Sequence, residues 1–493
     1  MILEFGEFLP DQAALNGGVQ KAENVVPNAR GYSSLKSLSA VSDALPKAAV
    51  GAVSYKAIDG TVYSYVGTSS KLYELNSGVH IDVTNTGGDY TLGTDEFWNF
   101  VKWGDTIVAL AKSENPQVLD FAGANFSDLA GSPPKAKFGT VISNFMVLAN
   151  INDGTEKSTT VRWSAINDNT NWTIDPDTQA DEQTLFSDAD FGSGVIKGIT
   201  GGEYGNVFFE HTIWRMTYVG SPLVFQFDEV VPSIGCAYAR SLTQEGRLVH
   251  FIGEDGFYQL IDGSQIKKIG KNKVDQYFLN RVDEAFDYKV VGASDPKNSL
   301  VFWTYVSTSS SNGQADSIII YDWLNDKWST ADLSIDLIYA APREGYTLEQ
   351  LDSFSTSIDT LKPSLDSDAW KSRSLALSVY GTDFKKSVFT GVALDATVDT
   401  AEYQVAEGAR AHITGVRPLF DGNASGVTVA LGQRDTQQDT IDYTSFKSTN
   451  SRTGLCNFRS DARYHRARVH TDGATDYNYM LGVDVEAELS GKV

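Results

Sequence analysis

LVHFIGEDGFYQLI, residues 248–261, is two apolar runs joined by Glu254, Asp255 and Gly256. Val, Ile, Phe and Tyr fit a pleated sheet, and a short polar link ending in Gly is a hairpin turn. The same unit recurs on both sides. Upstream stand TVYSYVG (from Thr61) with KLYEL (from Lys71), TIVALA (from Thr106) with PQVLDF (from Pro116), FMVLAN (from Phe145) with TTVRWSA (from Thr159), and NVFFEH (from Asn206) with IWRMTY (from Ile213). Downstream, LVFWTY (from Leu300) is followed by SIIIYDW (from Ser317). The six leading runs begin roughly 40 to 60 residues apart, close to the period of propeller blades. A small sheet cannot bury both faces alone, so such units pack around a common axis. Two ordinary β-sandwiches with evenly spaced strands read the same way, since no WD or kelch signature marks the blades.

Beyond about residue 395 the texture changes to the alternating strands RAHITGVRPLF (from Arg410), GVTVALGQR (from Gly426), ARYHRARVHT (from Ala462) and MLGVDVEAEL (from Met480). That is the pattern of an antiparallel sandwich. The expected fold is mainly β: an N-terminal arm (1–46), a β-propeller-like body (47–342), a linker with returning strands that complete the body (343–394), and a C-terminal antiparallel β-sandwich (395–493). The first 46 residues have little strand signal and read as an extended arm that packs on the body or on a neighbouring subunit. One helix is expected in KVDQYFLNRVDEAF (from Lys273), where Val274, Tyr277, Phe278 and Val282 form an apolar stripe for the outside of a blade. The Ser- and Asp-rich stretch from Arg343 to Trp370 reads as a long connection.

Lys and Arg number 40 against 63 Asp and Glu, a net charge of −23. So acidic a surface argues against a sequence-reading DNA binder, yet suits a conduit, where each phosphate contact slows a moving duplex. Cys236 and Cys456 have no CxxC or Cys/His spacing and read as buried thiols. MILEFGEFLPDQ has no basic segment leading into an apolar one, and no run approaches ~18 apolar residues, so synthesis and assembly in cytoplasm without membrane insertion are expected.

Chemistry is thinly signalled. The six histidines lie in or beside strands with no HExxH spacing, and His465 and His470 fall on opposite faces of one strand. GxSxG, P-loop and GxGxxG patterns are absent from the sequence. Asp175, Asp177, Gln179 and Asp181 alternate as in a Ca²⁺ loop but lack its Gly and terminal Glu, and read as a solvated loop. WSAINDNTNWT (from Trp163) is similar to the Asp-box turn of sialidase propellers, a folding element, with altered spacing. Aromatics alternating in apolar strands are core residues before they are sugar platforms. One basic cluster stands against the acidic background: Arg452, Arg459, Arg463, His465, Arg466 and Arg468. It is the candidate assembly interface, for docking an acidic neighbour or lining a ring. The plainer reading is arginines paired locally with Asp461, Asp472 and Asp476.

The order of features resembles the tail hub or nozzle proteins of short-tailed bacteriophages, also called packaged-DNA stabilisation proteins. The phrases that carry it are FLPDQ, ENVVPNARGY, WSAINDNTNWT, IIIYDWLNDKWST, LDSFSTSIDTLKPSLDSDAW, VFTGVALDATVDTAEY, VRPLFDG and ARYHRARVH. The resemblance implies a virion tail protein: a homohexameric tube below the portal and its adaptor that retains packaged double-stranded DNA and lets it pass without specific contacts. It also implies attachment surfaces for tail fibres or spikes and for a tip or needle, with no catalytic residue and no cofactor. The other readings are a carbohydrate-binding or depolymerising propeller and a different neck or baseplate component.

Overall fold

In the computed structural model, the hairpin 248–261 supplies the two middle strands of a four-stranded antiparallel sheet: Thr243–Glu245, Leu248–Gly253, Gly256–Ile261 and Gln265–Lys268. The structure describes residues 1–57, 61–121, 123–186, 194–342, 375–422, 426–473, 475 and 477–492. Among these, seven such four-strand units occur, and each of the six pairs quoted above forms the middle of one. The middle strands were legible because they are buried on both faces, as Phe145–Asn152 is over all but its last residue. The seventh unit is Ile335–Pro342, Leu375–Gly381 and Lys385–Ala393, closed on its outer side by Lys36–Ala44 from the N-terminus.

The seven inner strands run from Ala49–Lys56 to Ile335–Pro342, and the last lies against the first, closing a seven-bladed propeller. Burial explains the ring. Apolar cores fill the spaces between neighbouring sheets, for example Tyr65, Trp98 and Phe121 between the first and second blades, and Val66, Leu337 and Val379 where the ring closes. Each large side chain so buried is worth about 1.5–3 kcal/mol relative to exposure. Trp163, Trp303 and Trp328 are among these core residues, so the strand aromatics fill the blades. The closure is also tied by polar contacts: His80 Nδ1 lies 2.6 Å from Asp43 Oδ1 of the N-terminal strand, and its Nε2 lies 3.1 Å from the Tyr380 hydroxyl. Both cysteines are buried thiols, and burial pushes each up to about 11.

The terminal sandwich packs two sheets. One contains Ala409–Gly422, Cys456–Ala462 and Tyr477–Lys492; the other contains Ala396–Thr400, Val427–Arg434 and Tyr464–Thr471. Residues alternate in and out, with Cys456, Phe458, Ser460 and Ala462 buried and Asn457, Arg459 and Asp461 exposed. The second sheet is continuous with the sixth blade through Val19–Glu23, whose Glu23 pairs in parallel with Thr330. Body and sandwich therefore share one core, with Trp303, Trp328, Val429 and Val483 in the same cluster.

Two expectations are corrected. The first 46 residues pack on the body, but as strands of its sheets rather than as an extended arm with little strand content. They hold five strands in three sheets: Ile2–Glu4, Val25–Asn28 and Gly31–Ser34 join the first sandwich sheet, Val19–Glu23 the second, and Lys36–Ala44 the last blade. Their composition hid them: Ile2, Val19, Val25, Val26 and Val41 are the β-branched residues of this stretch, and no long apolar run marks its strands. The helix from Lys273 is only Asp275–Leu279, followed by a 3-10 turn at Glu284–Lys289. Val274, Phe278 and Val282 are buried in the core shared with the sandwich, rather than set on the outside of a blade. The stretch 343–370 lies outside the described residues.

Asp336 on the innermost strand of the last blade gives a testable pH effect. Its Oδ1 accepts from Gln314 Nε2 and its Oδ2 is buried without a partner. Burial pushes the carboxyl up to about 6, with Lys289 pulling the other way. A raised folded-state value favours the protonated native state, so this contribution is full below about pH 4 and is lost as pH rises through about 6. Asp336→Asn is expected to match the parent at pH 4 and exceed its stability at pH 8 by on the order of 1 kcal/mol, after discounting for solvent screening. Urea titrations at the two pH values check this; an equal offset at both would refute it.

Candidate functional site

The basic cluster divides into three environments. On Tyr464–Thr471, Ala467 and Val469 point into the sandwich, while Arg466, Arg468 and His470 take the opposite face, as strand alternation requires. His465 is on the inner side and fully buried. Its Nε2 lies 3.2 Å and 3.0 Å from the carbonyl oxygens of Ala411 and Ala462, so the neutral ring donates there, and burial holds its pKa below the usual value.

Register then places Asp399 opposite Arg468. Arg468 Nε and Nη2 donate to the two Asp399 carboxylate oxygens at 2.8 and 2.7 Å. The Tyr443 ring covers the guanidinium at 3.9 Å, and its hydroxyl donates to Asp399 Oδ2 at 3.0 Å. These hydrogen bonds raise the Arg468 pKa further. Two residues beyond Thr400, the buried Glu402 accepts from Arg434 Nη2 at 2.5 Å, with Arg466 Nη2 at 3.7 Å. Arg466 and Arg468 are thus held by acids of their own chain.

The acids are not those expected. Asp461 accepts from Arg410 Nε at 3.0 Å, Asp472 lies 3.5 Å from His470, and Asp476 is outside the described residues. Asp399, Glu402, Arg434 and Tyr443 were missed, and only the strand register would have found them. Arg463 rests on the Tyr464 ring at 5.4 Å. Arg452, in a turn, and Arg459, on the outer face of its strand, are exposed. The cluster is therefore not one surface: a buried histidine, a paired seam and two outward cations are what the fold makes of it.

The other gathering point is the propeller axis. A cavity of about 490 Å³ is lined by residues from all seven blades. Gly51 belongs to this lining, and a Cβ there would collide with the backbone of Trp98, so the close approach of the first two blades requires glycine. Among the described residues, Arg240 is the only charged side chain in the lining. The turn after Trp163 is structural: Asp168 Oδ1 accepts from Thr170 N at 2.9 Å, and the buried Trp172 donates to Asn169 O at 2.7 Å. Asp175, Asp177 and Asp181 are exposed.

No family model and no curated protein matches the chain. Among solved structures it is similar to the computationally designed Ika8 protein, at 10% identity over 78% of this chain and 99% of that one, TM-score 0.39. It is also similar to YCF48 from Cyanidioschyzon merolae, at 12% identity over 71% and 98%, TM-score 0.39. A third is BamB from Moraxella catarrhalis, at 10% identity over 62% and 92%, TM-score 0.30. The propeller itself is read from the order of strands in its sheets.

Proposed function

We propose that the chain is a structural virion protein: the subunit of a tail hub or nozzle of a short-tailed bacteriophage, below the portal and adaptor, which retains packaged DNA and conducts it at ejection. The observation that carries this reading is the order of the phrases from FLPDQ to ARYHRARVH, spread over nearly the whole chain. Edge chemistry supports self-association. Val79 and Ile81, 53% and 45% exposed, sit on the outer strand of the first blade, and Val41 is exposed on the neighbouring closing strand. Exposed apolar side chains on outer strands are surfaces on which strands associate. Arg452 and Arg459 supply outward cations for an acidic neighbour. Charge supports the conduit: six copies carry about −140, and a wall of that sign repels phosphate over a Debye length of about 8 Å, leaving little adhesion to DNA.

Native mass spectrometry of the purified protein, alone and with the portal adaptor, tests the proposal. A closed ring of six is expected. A monomer under both conditions overturns it, and a ring whose lumen is lined mainly by Lys and Arg overturns the low-adhesion mechanism.

A further inference from the structure

The cavity on the propeller axis holds a charge with no counter-charge. Arg240 lies between the outer strand of the fourth blade, Val224–Val231, and the inner strand of the fifth, Thr243–Glu245. Its carbonyl accepts from Gly292 N at 2.8 Å, fixing the segment to the sixth blade. The partly buried guanidinium lies over the buried Phe97 ring, 4.8 Å from its centroid, and Lys137 Nζ is 5.7 Å from the same centroid. Among the described residues no carboxylate is within ion-pair distance of Arg240, and its side chain makes no hydrogen bond. Arg162, Arg410, Arg417, Arg434 and Arg468 each have an acid, whereas Arg240, like Arg215 over Tyr204 and Arg281 over Tyr277, has an aromatic face instead. Thr243, also in the lining, has a buried hydroxyl without a partner. Burial lowers the Arg240 pKa only to about 10, so the group is a cation at neutral pH.

The guanidinium is half-buried in a cavity open to water, and with an aromatic face in place of a counter-charge its N–H donors remain available to a ligand. Its planar fork fits the oxygens of a carboxylate or phosphate. The cavity is of small-ligand size and open enough to admit one. We propose that the propeller axis is a binding site for a small oxyanion, a carboxylate or a phosphate, held by Arg240 over Phe97. The site is independent of the tail reading, since it needs only one folded chain.

The test is a set of thermal-shift and calorimetric titrations of the full chain with sodium phosphate and with sodium citrate, each against sodium chloride at matched ionic strength. At least one oxyanion is expected to raise Tm by several degrees beyond chloride, and the more effective of the two identifies the source. Arg240→Met is expected to bind at least tenfold more weakly, and Arg240→Lys to retain part of the affinity. In chloride alone, Arg240→Met is expected to melt no lower than the parent. Equal behaviour of phosphate, citrate and chloride on the parent overturns the proposal, as does an unchanged oxyanion response in Arg240→Met. Should that variant not fold, the parent titrations decide alone.

Discussion

A chain lacking residues 1–46 is expected to be insoluble, or to lose its cooperative unfolding transition altogether. The truncation removes five strands from three sheets. It strips the outer strand from the last blade, where Leu38, Ser39 and Ala40 pair with Phe389, Val388 and Ser387. It also unroofs the sandwich, since Phe5, Phe8, Val19, Val25 and Tyr32 are buried in the core shared with the blades, and Leu35 and Leu45 in the core at the ring closure. At about 1.5–3 kcal/mol for each large buried side chain, seven of them amount to about 10–20 kcal/mol. A whole domain has only about 5–15 kcal/mol of net stability. Solubility on expression, circular dichroism on heating and amide exchange in the last blade measure the outcome. A soluble truncated protein melting near the parent temperature would overturn the structural role of these strands and favour an arm that packs on a neighbouring subunit.

The contrast between that segment and the middle strands shows what a sequence makes visible. LVHFIG, FMVLAN and LVFWTY sit between two neighbours in their own sheet and between two blades, so nearly every residue is apolar and the run declares itself. An outer strand such as Gln265–Lys268 has exposed or half-exposed positions throughout, and the inner strand Thr243–Glu245 is three residues long. Neither differs from a loop in composition. The N-terminal strands are harder still, because their partners are remote: Met1 reaches Val485, and Val19 pairs with Thr400. Around Lys273 the stripe Val274, Phe278 and Val282 is buried, yet the helix is brief, since the chain must reach Val291 and begin another blade. Periodicity identified what is buried there but not against what.

Burial on both sides of every blade also bears on how such a chain unfolds. Because the sixth blade continues into the sandwich sheet and the first chain segment closes both, no boundary separates body from sandwich at residue 395 energetically, although the strand Ala396–Thr400 begins there. Elements that share a core lose it together, so a lesion in the sandwich is expected to register on the propeller.

Asp399→Ala is the second large effect expected, a loss of about 3 kcal/mol. The substitution strips Arg468 of two charge-assisted hydrogen bonds and Tyr443 of its acceptor, leaving a guanidinium under an aromatic ring without its anion. Arg468→Met is expected to cost a similar amount, because it leaves the buried carboxylate uncompensated. The double variant Asp399→Ala, Arg468→Met is expected to cost much less than the sum, since neither charge then remains buried alone. Arg452→Ser and Arg459→Ser, on exposed positions, are expected to stay within about 0.5 kcal/mol of the parent. Urea denaturation of the five variants beside the parent measures these differences. Additive single-variant costs would break the coupling argument. A parent-like Arg468→Met that nonetheless loses assembly with its neighbours would return Arg468 to the interface, where its position in a basic cluster first placed it.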